Sequence, residues 1–243
     1  MSLRGSRARG LSPDRAQKLA ALLVVITLIK GLLFAALVPA WQAPDEPNYF
    51  KEIVSLAESG SFVSVTGHPP LYAVAAYIPY ELAGAEQSNK VLAVRLLSVV
   101  CVSIAVYFTF KTARVVFPKE PFIQILAPAV ATFNPQFTFI GASVNSDSMI
   151  AMWFSIITYL SVLIIRDSLD WKKSAGILAL CVLAGLTKQR VYFLYPVILG
   201  VVAYGGYLRL GGRWSRFWSG ELRARDVAVG AGCIGVALLS WTP

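Results

Sequence analysis

The sequence has few charged residues, few cysteines and one histidine, and each shortage excludes a class of protein. Charged residues make up 14% of the 243 residues, whereas a soluble domain carries roughly 25%. The three cysteines, Cys101, Cys181 and Cys233, all lie in apolar stretches, and they do not form a disulfide framework or a metal site. The lone His68 cannot build a metal cluster by itself. A soluble domain and a disulfide-rich secreted domain are both excluded.

Long apolar stretches dominate what remains. The sequence is 56% hydrophobic, with a mean hydropathy of +0.63, and a helix of about 20 apolar residues crosses a bilayer. We predict seven spans, near residues 19–39, 92–110, 122–142, 149–165, 175–186, 192–208 and 227–241. Because only helices satisfy the backbone at these depths without a closed barrel, the fold class is predicted as all-α, a polytopic membrane helical bundle.

The net charge of +9 indicates a topology, and we expect no nucleic-acid partner. With the N-terminus inside, most basic residues fall in inner loops, as the positive-inside rule requires. They are Arg4, Arg7, Arg9, Arg15, Lys18, Lys111, Arg114, Lys119, Arg166, Lys172, Lys173, Arg209, Arg213, Arg216, Arg223 and Arg225. We predict a multi-pass protein of the inner or plasma membrane, with a basic cytoplasmic N-terminus at 1–18 and a first span that acts as a signal anchor.

The first outer loop, at about 40–90, contains two predicted short helices. Pro47 begins the first, apolar residues follow at helical spacing, and Gly60 ends it. The second, at 71–83, is interrupted by Pro79. Both are too short to span, so we expect them to lie in the membrane interface. Its expected aromatic anchors are Tyr72, Tyr77 and Tyr80.

Acidic residues stand out where the spans meet the outer face. Asp45 and Glu46 follow the first span directly, and two adjacent carboxylates at a helix mouth are costly unless they face water and have a task. They either cap the helix that follows or supply a general base. Asp147, at the start of the fourth span, has the same two interpretations.

Basic residues on the outer side break the positive-inside pattern. Lys188 and Arg190 either snorkel to lipid head groups or bind a phosphate, and Arg95 could join them. His68 either makes a loop hydrogen bond or contacts substrate. Lys30 lies near the middle of the first span, where a charge costs about 2.5–3.5 kcal/mol. It either snorkels in a tilted helix or lines a polar groove that holds a lipid head group.

Five short motifs, taken together, resemble one clan. They are Pro44-Asp45-Glu46-Pro47-Asn48-Tyr49, His68-Pro69-Pro70-Leu71-Tyr72, Arg95 entering the second span, Asn145-Ser146-Asp147, and Gly185-Leu186-Thr187-Lys188. In order, spacing and predicted outward side they are similar to the GT-C-fold glycosyltransferases, which include protein O-mannosyltransferases and aminoarabinose transferases. The resemblance covers about residues 19–210. The residues of these motifs are most similar to those of a bacterial branch of the clan whose function is unknown.

The resemblance implies a site and a reaction. It assigns the catalytic role to Asp45 and Glu46 on a membrane glycosyltransferase that moves a sugar from a polyprenyl-phosphate-linked donor to an acceptor on the extracytoplasmic face. Glu46 and Asp147 would orient the acceptor or bind a divalent cation. The residues expected to contact substrate or its phosphate are His68, Tyr72, Arg95, Asn145, Asp147, Lys188 and Arg190.

The chain departs from the clan in its C-terminal part. Clan members usually have more spans and often a soluble C-terminal domain, so residues 19–243 are expected to form the N-terminal module alone. It is a fragment, a minimal module or a subunit that needs a partner membrane protein. Two other functions stay open. One is a lipid-carrier flippase that needs Lys30, and the other is a non-catalytic scaffold subunit.

Overall fold

The computed structural model describes residues 11–209, and helices are the only regular secondary structure in that range. The predicted seventh span, 227–241, lies outside the described residues. In chain order the helices are α1 (Pro13–Leu37), α2 (Glu46–Ser59), α3 (Leu71–Leu82), α4 (Gln87–Val116), α5 (Pro121–Phe133), α6 (Pro135–Gly141), α7 (Ser146–Asp167), α8 (Trp171–Thr187), a 3₁₀ helix (Gln189–Phe193) and α9 (Leu194–Arg209).

The prediction of an all-helical membrane fold is confirmed, but the count of seven spans is not. Within residues 11–209, four helical segments are long and apolar enough to cross a membrane: α1, α4, α7 and the segment Gln189–Arg209. At 13 and 17 residues, α5 and α8 are shorter. These two helices fall where the third and fifth spans were predicted.

Helix α4 lies at the centre of the bundle and packs against α1, α5 and α7. Glycines allow the close approach. A Cβ atom added at Gly31 of α1 would lie 2.6 Å from a methyl group of Val99, and one at Gly141 of α6 would lie 2.7 Å from Val102. We call the end of the bundle where α1 ends and α7 begins the site end. The other end, where α1 begins and α4 ends, is the opposite end.

Helices α2 and α3 lie at the site end and pack on each other and, through α3, on α4. Gly60 ends α2 with φ 65°, as its place in the sequence predicted. Helix α3 continues through Pro79, which was expected to interrupt it. Tyr72 and Tyr80 are 2% and 5% exposed, so they are core residues and not the interfacial anchors that we predicted; only Tyr77 of the three is exposed.

The apolar stretch 122–142 forms two helices and not one span. Helix α5 ends at Phe133, and the Asn134 side chain accepts a hydrogen bond from the Phe137 N–H to begin α6. Pro135 has no N–H to continue the first helix, which explains the break.

The break between α5 and α6 provides a partner for Lys30. A helix end leaves carbonyl groups unpaired, and the Lys30 ammonium donates to the Thr132 carbonyl at 2.8 Å. The same ammonium lies 5.5 Å from the centre of the Phe133 ring. Lys30 therefore binds the end of a neighbouring helix, an arrangement that neither sequence interpretation included.

Candidate functional site

A buried ion pair between Glu46 and Arg95 organises the site end. Glu46 is 0% exposed and Arg95 is 3% exposed. The Arg95 Nε donates to Glu46 Oε1 at 2.8 Å and Nη2 donates to Oε2 at 2.9 Å, which is the two-bond fork geometry that favours arginine over lysine.

Arg95 has no free donor for a substrate phosphate. Guanidinium carries five N–H groups, and the three that do not bind Glu46 donate to carbonyls at the end of α1. Those carbonyls belong to Ala35, Val38 and Pro39. They have few partners within their own helix, because it ends there. The expected phosphate contact of Arg95 is therefore corrected to a structural role.

The carboxylate oxygens of Glu46 are likewise fully engaged in hydrogen bonds. Besides Arg95, its carboxylate accepts hydrogen bonds from the N–H groups of Trp41 at 2.8 Å and Val144 at 2.9 Å. Burial by itself would raise the pKa of Glu46, but the Arg95 and backbone hydrogen bonds outweigh burial and lower it. A buried carboxylate with this many fixed donors stays ionised and cannot reach a substrate. Glu46 positions the site and is not the catalytic acid that we expected.

The Glu46–Arg95 pair is flanked by two segments that carry acidic residues. Asp45 is the residue before Glu46, and Val144, which binds Glu46, comes just before the segment Asn145–Asp147. Both segments lie near Tyr49. Burial is the main reason why the pKa of Tyr49 is raised to about 12, and the carboxylates of Asp147, Glu52 and Asp45 raise it further. Asp45 and Asp147, which are far apart in sequence, therefore converge at one place.

Asp45 has a fixed backbone and a free carboxylate. Its φ is 62°, in the left-handed region that Asp and Asn tolerate best among residues other than glycine. Its carbonyl accepts from the N–H groups of Asn48 and Tyr49 at 2.9 and 3.0 Å. The side chain is exposed and makes no capping hydrogen bond to α2. Among the described residues it forms no ion pair, so the capping interpretation does not explain it.

Buried hydroxyl groups support the Asn145–Asp147 segment. The Ser146 hydroxyl donates to the Tyr49 hydroxyl at 2.8 Å. The Tyr72 hydroxyl accepts from the Asn145 N–H at 2.9 Å and shares a hydrogen bond with Ser98 at 3.0 Å. These contacts occupy the Tyr72 hydroxyl, and Tyr72 is 2% exposed. Tyr72 therefore supports the segment that carries Asp147. Asn145 is 5% exposed, and its substrate contact stays a prediction.

The Asn145 side chain caps α7 and leaves Asp147 free to point outward. Asn145 Oδ1 accepts from the Asp147 N–H at 2.8 Å. The Asp147 carboxylate instead pairs with the Lys188 ammonium at 2.5 Å. Lys188 follows α8, and the exposed Arg190 lies two residues further along, in the 3₁₀ helix. The structure therefore brings Asp147 and a basic cluster together, as the shared outward side predicted.

His68 belongs to the same cluster. Its ring stacks on Tyr49 with centroids 6.2 Å apart, and its buried Nδ1 has no hydrogen-bond partner among the described residues. Burial lowers the pKa of His68, and the positive charges of Lys188 and Arg190 lower it further. The lowered pKa favours the neutral ring, and its Nδ1 is enclosed by the protein.

Sequence reasoning missed Glu52, which fixes the loop before His68. Glu52 is 2% exposed, and its Oε1 accepts from the N–H groups of Val65 and Thr66 and from the Thr66 hydroxyl, each at 2.8 Å. The available signal was its position: Glu52 lies three residues after Tyr49 and next to Ile53, on the apolar side of α2.

A crevice of ≈ 270 Å³ opens beside Asp147, between α6, α4 and α7. Its walls are mostly apolar, from Val102, Phe137, Ile140, Gly141 and Ala151, with Asn134, Gln136, Asp147 and Ser148 as polar members. It joins an apolar surface to the charged cluster.

The expected divalent cation has no pair of ligands in Glu46 and Asp147. Both oxygens of Glu46 accept N–H groups, and Asp147 pairs with Lys188. Among residues 11–209 no three His, Cys, Asp or Glu side chains group as metal ligands. These two residues do not fit the cation role.

Comparison with known protein families gives one match. Residues 67–218, more than half of the chain, match the family described as dolichyl-phosphate-mannose-protein mannosyltransferase. No curated protein and no solved structure matches the chain. His68, Asp147, Lys188 and Arg190 lie inside the matched residues, whereas Asp45 precedes them.

Proposed function

Because the chain belongs to the dolichyl-phosphate-mannose-protein mannosyltransferase family, whose members are membrane glycosyltransferases that use polyprenyl-phosphate-linked sugars, we propose that it moves a sugar from such a carrier to an acceptor hydroxyl at the site end. The observation that carries the proposal is the free carboxylate of Asp45. Asp45 directly precedes the buried Glu46, and its carboxylate lies near Tyr49, as the carboxylate of Asp147 does. His68 stacks on the same tyrosine, and Asp147 pairs with Lys188.

Asp45 acts as the general base in this proposal. It takes the proton of the acceptor hydroxyl while the hydroxyl oxygen bonds to the anomeric carbon of the donor sugar. The bond between that carbon and the phosphate oxygen breaks, and the lipid phosphate leaves with the electron pair. A base of this kind contributes about 10²–10⁴-fold to the rate.

Lys188 and Arg190 stabilise the leaving phosphate, whose charge grows as the bond breaks. Asp147 holds the Lys188 ammonium in the absence of substrate and yields it to the phosphate. His68 stacks on Tyr49 and forms part of the wall of the site. The crevice beside Asp147 gives the first isoprene units an apolar surface.

The site end is extracytoplasmic in this proposal. The basic residues Lys111, Arg114 and Arg166 and the start of α1 all lie at the opposite end, so the positive-inside rule puts that end in the cytoplasm. A lipid-linked donor suits an outward site, because nucleotide sugars of the cytosol do not reach it.

Replacing Asp45 with Asn tests the proposal. Asn keeps the shape and the tolerance of positive φ but loses the base. Transfer from polyprenyl-phosphate mannose should fall at least about 100-fold, with an unchanged unfolding temperature. Asp45→Gly, which also accepts the backbone conformation, should behave alike. Full activity in both variants would refute the role of Asp45.

The flippase alternative gains no support from Lys30. Its ammonium donates to the Thr132 carbonyl and lies between α1 and α5, so we do not propose transport as the function. Carrier movement across vesicles that depends on Lys30 and not on Asp45 would contradict this choice. Tight co-purification with another membrane protein, without transfer, would favour the scaffold.

A further inference from the structure

A second cavity lies at the opposite end of the bundle, far from Asp45. It is a groove of ≈ 400 Å³ between α1 and α4. Its lining extends along α1 from Gln17 to Val25, which is about 12 Å at 1.5 Å per residue. One leaflet of the hydrocarbon core is about 15 Å deep, half of the core thickness. The groove therefore has the length of one leaflet.

The walls of the groove are apolar and open to the side. Ala20, Ala21 and Val24 leave room on α1, and Tyr107 and Phe110 form the wall on α4. Val25 and Tyr107 are 47% and 45% exposed. A groove of this kind admits a hydrocarbon chain from the bilayer.

Two cations stand at the mouth of the groove without an acidic partner. Lys111 and Arg114 lie three residues apart on α4, so they share one face. The Arg114 Nη1 donates to the Gln17 side chain at 3.2 Å, and the Lys111 ammonium lies 5.5 Å from the centre of the Tyr159 ring. Within residues 11–209 neither forms a salt bridge. Among the described residues Arg114 makes one side-chain hydrogen bond, to Gln17, which leaves most of its donors available to an anion.

From this combination we infer that the groove binds an anionic phospholipid, one acyl chain lying along α1 and the phosphate contacting Lys111 and Arg114. Basic pockets between membrane helices recognise anionic head groups in this way. The site is separate from the proposed catalytic site and does not depend on it. The ligand belongs to the leaflet of the opposite end.

Native mass spectrometry of the full chain tests the inference. Dioleoyl phosphatidylglycerol and dioleoyl phosphatidylcholine share their acyl chains and differ in net charge. We expect one phosphatidylglycerol to bind about 30-fold more tightly than phosphatidylcholine, whose choline ammonium offsets the charge of its phosphate. The variant Lys111→Gln/Arg114→Gln should weaken phosphatidylglycerol binding by about 30-fold, from two surface cations, and leave phosphatidylcholine unchanged.

Two further variants separate charge from shape. Lys119→Gln/Lys172→Gln removes two exposed basic residues at the same end but outside the groove, and it should bind phosphatidylglycerol as the wild type does. Ala21→Phe fills the groove without a change of charge and should weaken both lipids. If Lys111→Gln/Arg114→Gln does not fold, the Ala21→Phe variant still tests the inference.

Three outcomes would overturn the inference. The first is equal binding of the two lipids by the wild type, or no stoichiometric lipid, as expected if another part of the chain fills the groove. The second is an equal loss in Lys119→Gln/Lys172→Gln. The third is displacement of the lipid by millimolar glycerol phosphate, which would make the mouth a site for small anions.

Discussion

The site end contains two ion pairs with opposite properties. Glu46 and Arg95 are 0% and 3% exposed, and every donor of Arg95 is engaged. Asp147 and Lys188 are 48% and 18% exposed, and they are joined by one contact. The first pair connects α1, α2, α4 and the start of α7, whereas the second connects only the ends of α7 and α8.

The two ion pairs therefore have different tasks: the buried pair fixes the positions of the site segments, and the exposed pair can change its partner. Removing one partner of a buried pair leaves an uncompensated charge and costs about 3–5 kcal/mol. An exposed pair contributes about 0–1 kcal/mol and can give up its cation to a stronger anion. The buried pair therefore fixes where Asp45 and Asp147 lie, whereas the exposed pair leaves Lys188 able to bind the phosphate of the proposed donor.

Among the substitutions in the two ion pairs, Arg95→Ala should have the largest effect on stability. It leaves Glu46 buried and unpaired and strips the end of α1 of its donors, so the free energy of unfolding should fall by about 3–5 kcal/mol. Thermal unfolding in detergent measures the loss. Arg95→Lys should not restore it, because lysine lacks the five-donor fork.

The exposed pair Arg166–Asp167 supplies the control. Arg166→Ala should hardly change the unfolding temperature, because water screens an exposed pair. Equal losses in Arg95→Ala and Arg166→Ala would show that burial does not distinguish the two.

Lys188→Ala/Arg190→Ala should remove the proposed phosphate site. Each hydrogen bond to a charged group contributes about 1.5–3 kcal/mol, so binding of polyprenyl phosphate should weaken at least about 100-fold while the unfolding temperature hardly moves. Native mass spectrometry reports the bound lipid. Lys51→Ala/Lys90→Ala removes the same charge at the same end and should retain it; retention by both variants would exclude this phosphate site.

Strong acid should weaken the buried ion pair between Glu46 and Arg95. The pKa of Glu46 is lowered in the folded state from its ordinary value of 4.5. Its stabilisation is therefore complete above about pH 4.5, and is lost as pH falls through the lowered pKa. Unfolding followed between pH 6 and pH 3 should show this decline. Glu46→Gln should be less stable at neutral pH and less sensitive to acid, and a parallel decline in both proteins would assign the acid sensitivity elsewhere.

Asp147→Asn should have the smallest effect on stability, within about 1 kcal/mol. It removes the carboxylate that competes for Lys188, so polyprenyl phosphate should bind more tightly. If Asp147 also orients the acceptor, transfer falls while donor binding rises. Weaker donor binding would show that Asp147 supports Lys188 and does not compete with phosphate.

Local signals predicted part of the architecture. Helix α2 has almost the predicted ends, because Pro47 suits a first turn and Gly60 suits a left-handed C-cap. The break at Asn134-Pro135 has an equally local signal, because proline cannot continue a helix. The apolar residues on both sides nevertheless favoured the prediction of one continuous span. Helix α3 passes through Pro79 because packing at the site end overrides the local preference.

The structure places the predicted site residues in space, and their roles in the reaction stay predictions. Sequence put Asp45, Asp147, Lys188 and Arg190 on one side of the membrane, and the structure brings them together at the site end. It could not separate Asp45 from Glu46, because the partner that distinguishes them, Arg95, is 49 residues away. A residue's pattern shows that a charge is present, but burial decides whether that charge faces a substrate or another part of the fold.

The contact between Lys30 and Thr132 joins two helices that are synthesised at different times. Helix α1 is synthesised before α5, so Lys30 is made before the Thr132 carbonyl that will accept its hydrogen bond. Until then α1 carries a penalty of about 2.5–3.5 kcal/mol, which favours its retention beside the insertion machinery. Arrival of α5 removes the penalty through the bond to Thr132. A chain that ends before residue 132 lacks this partner for the Lys30 charge.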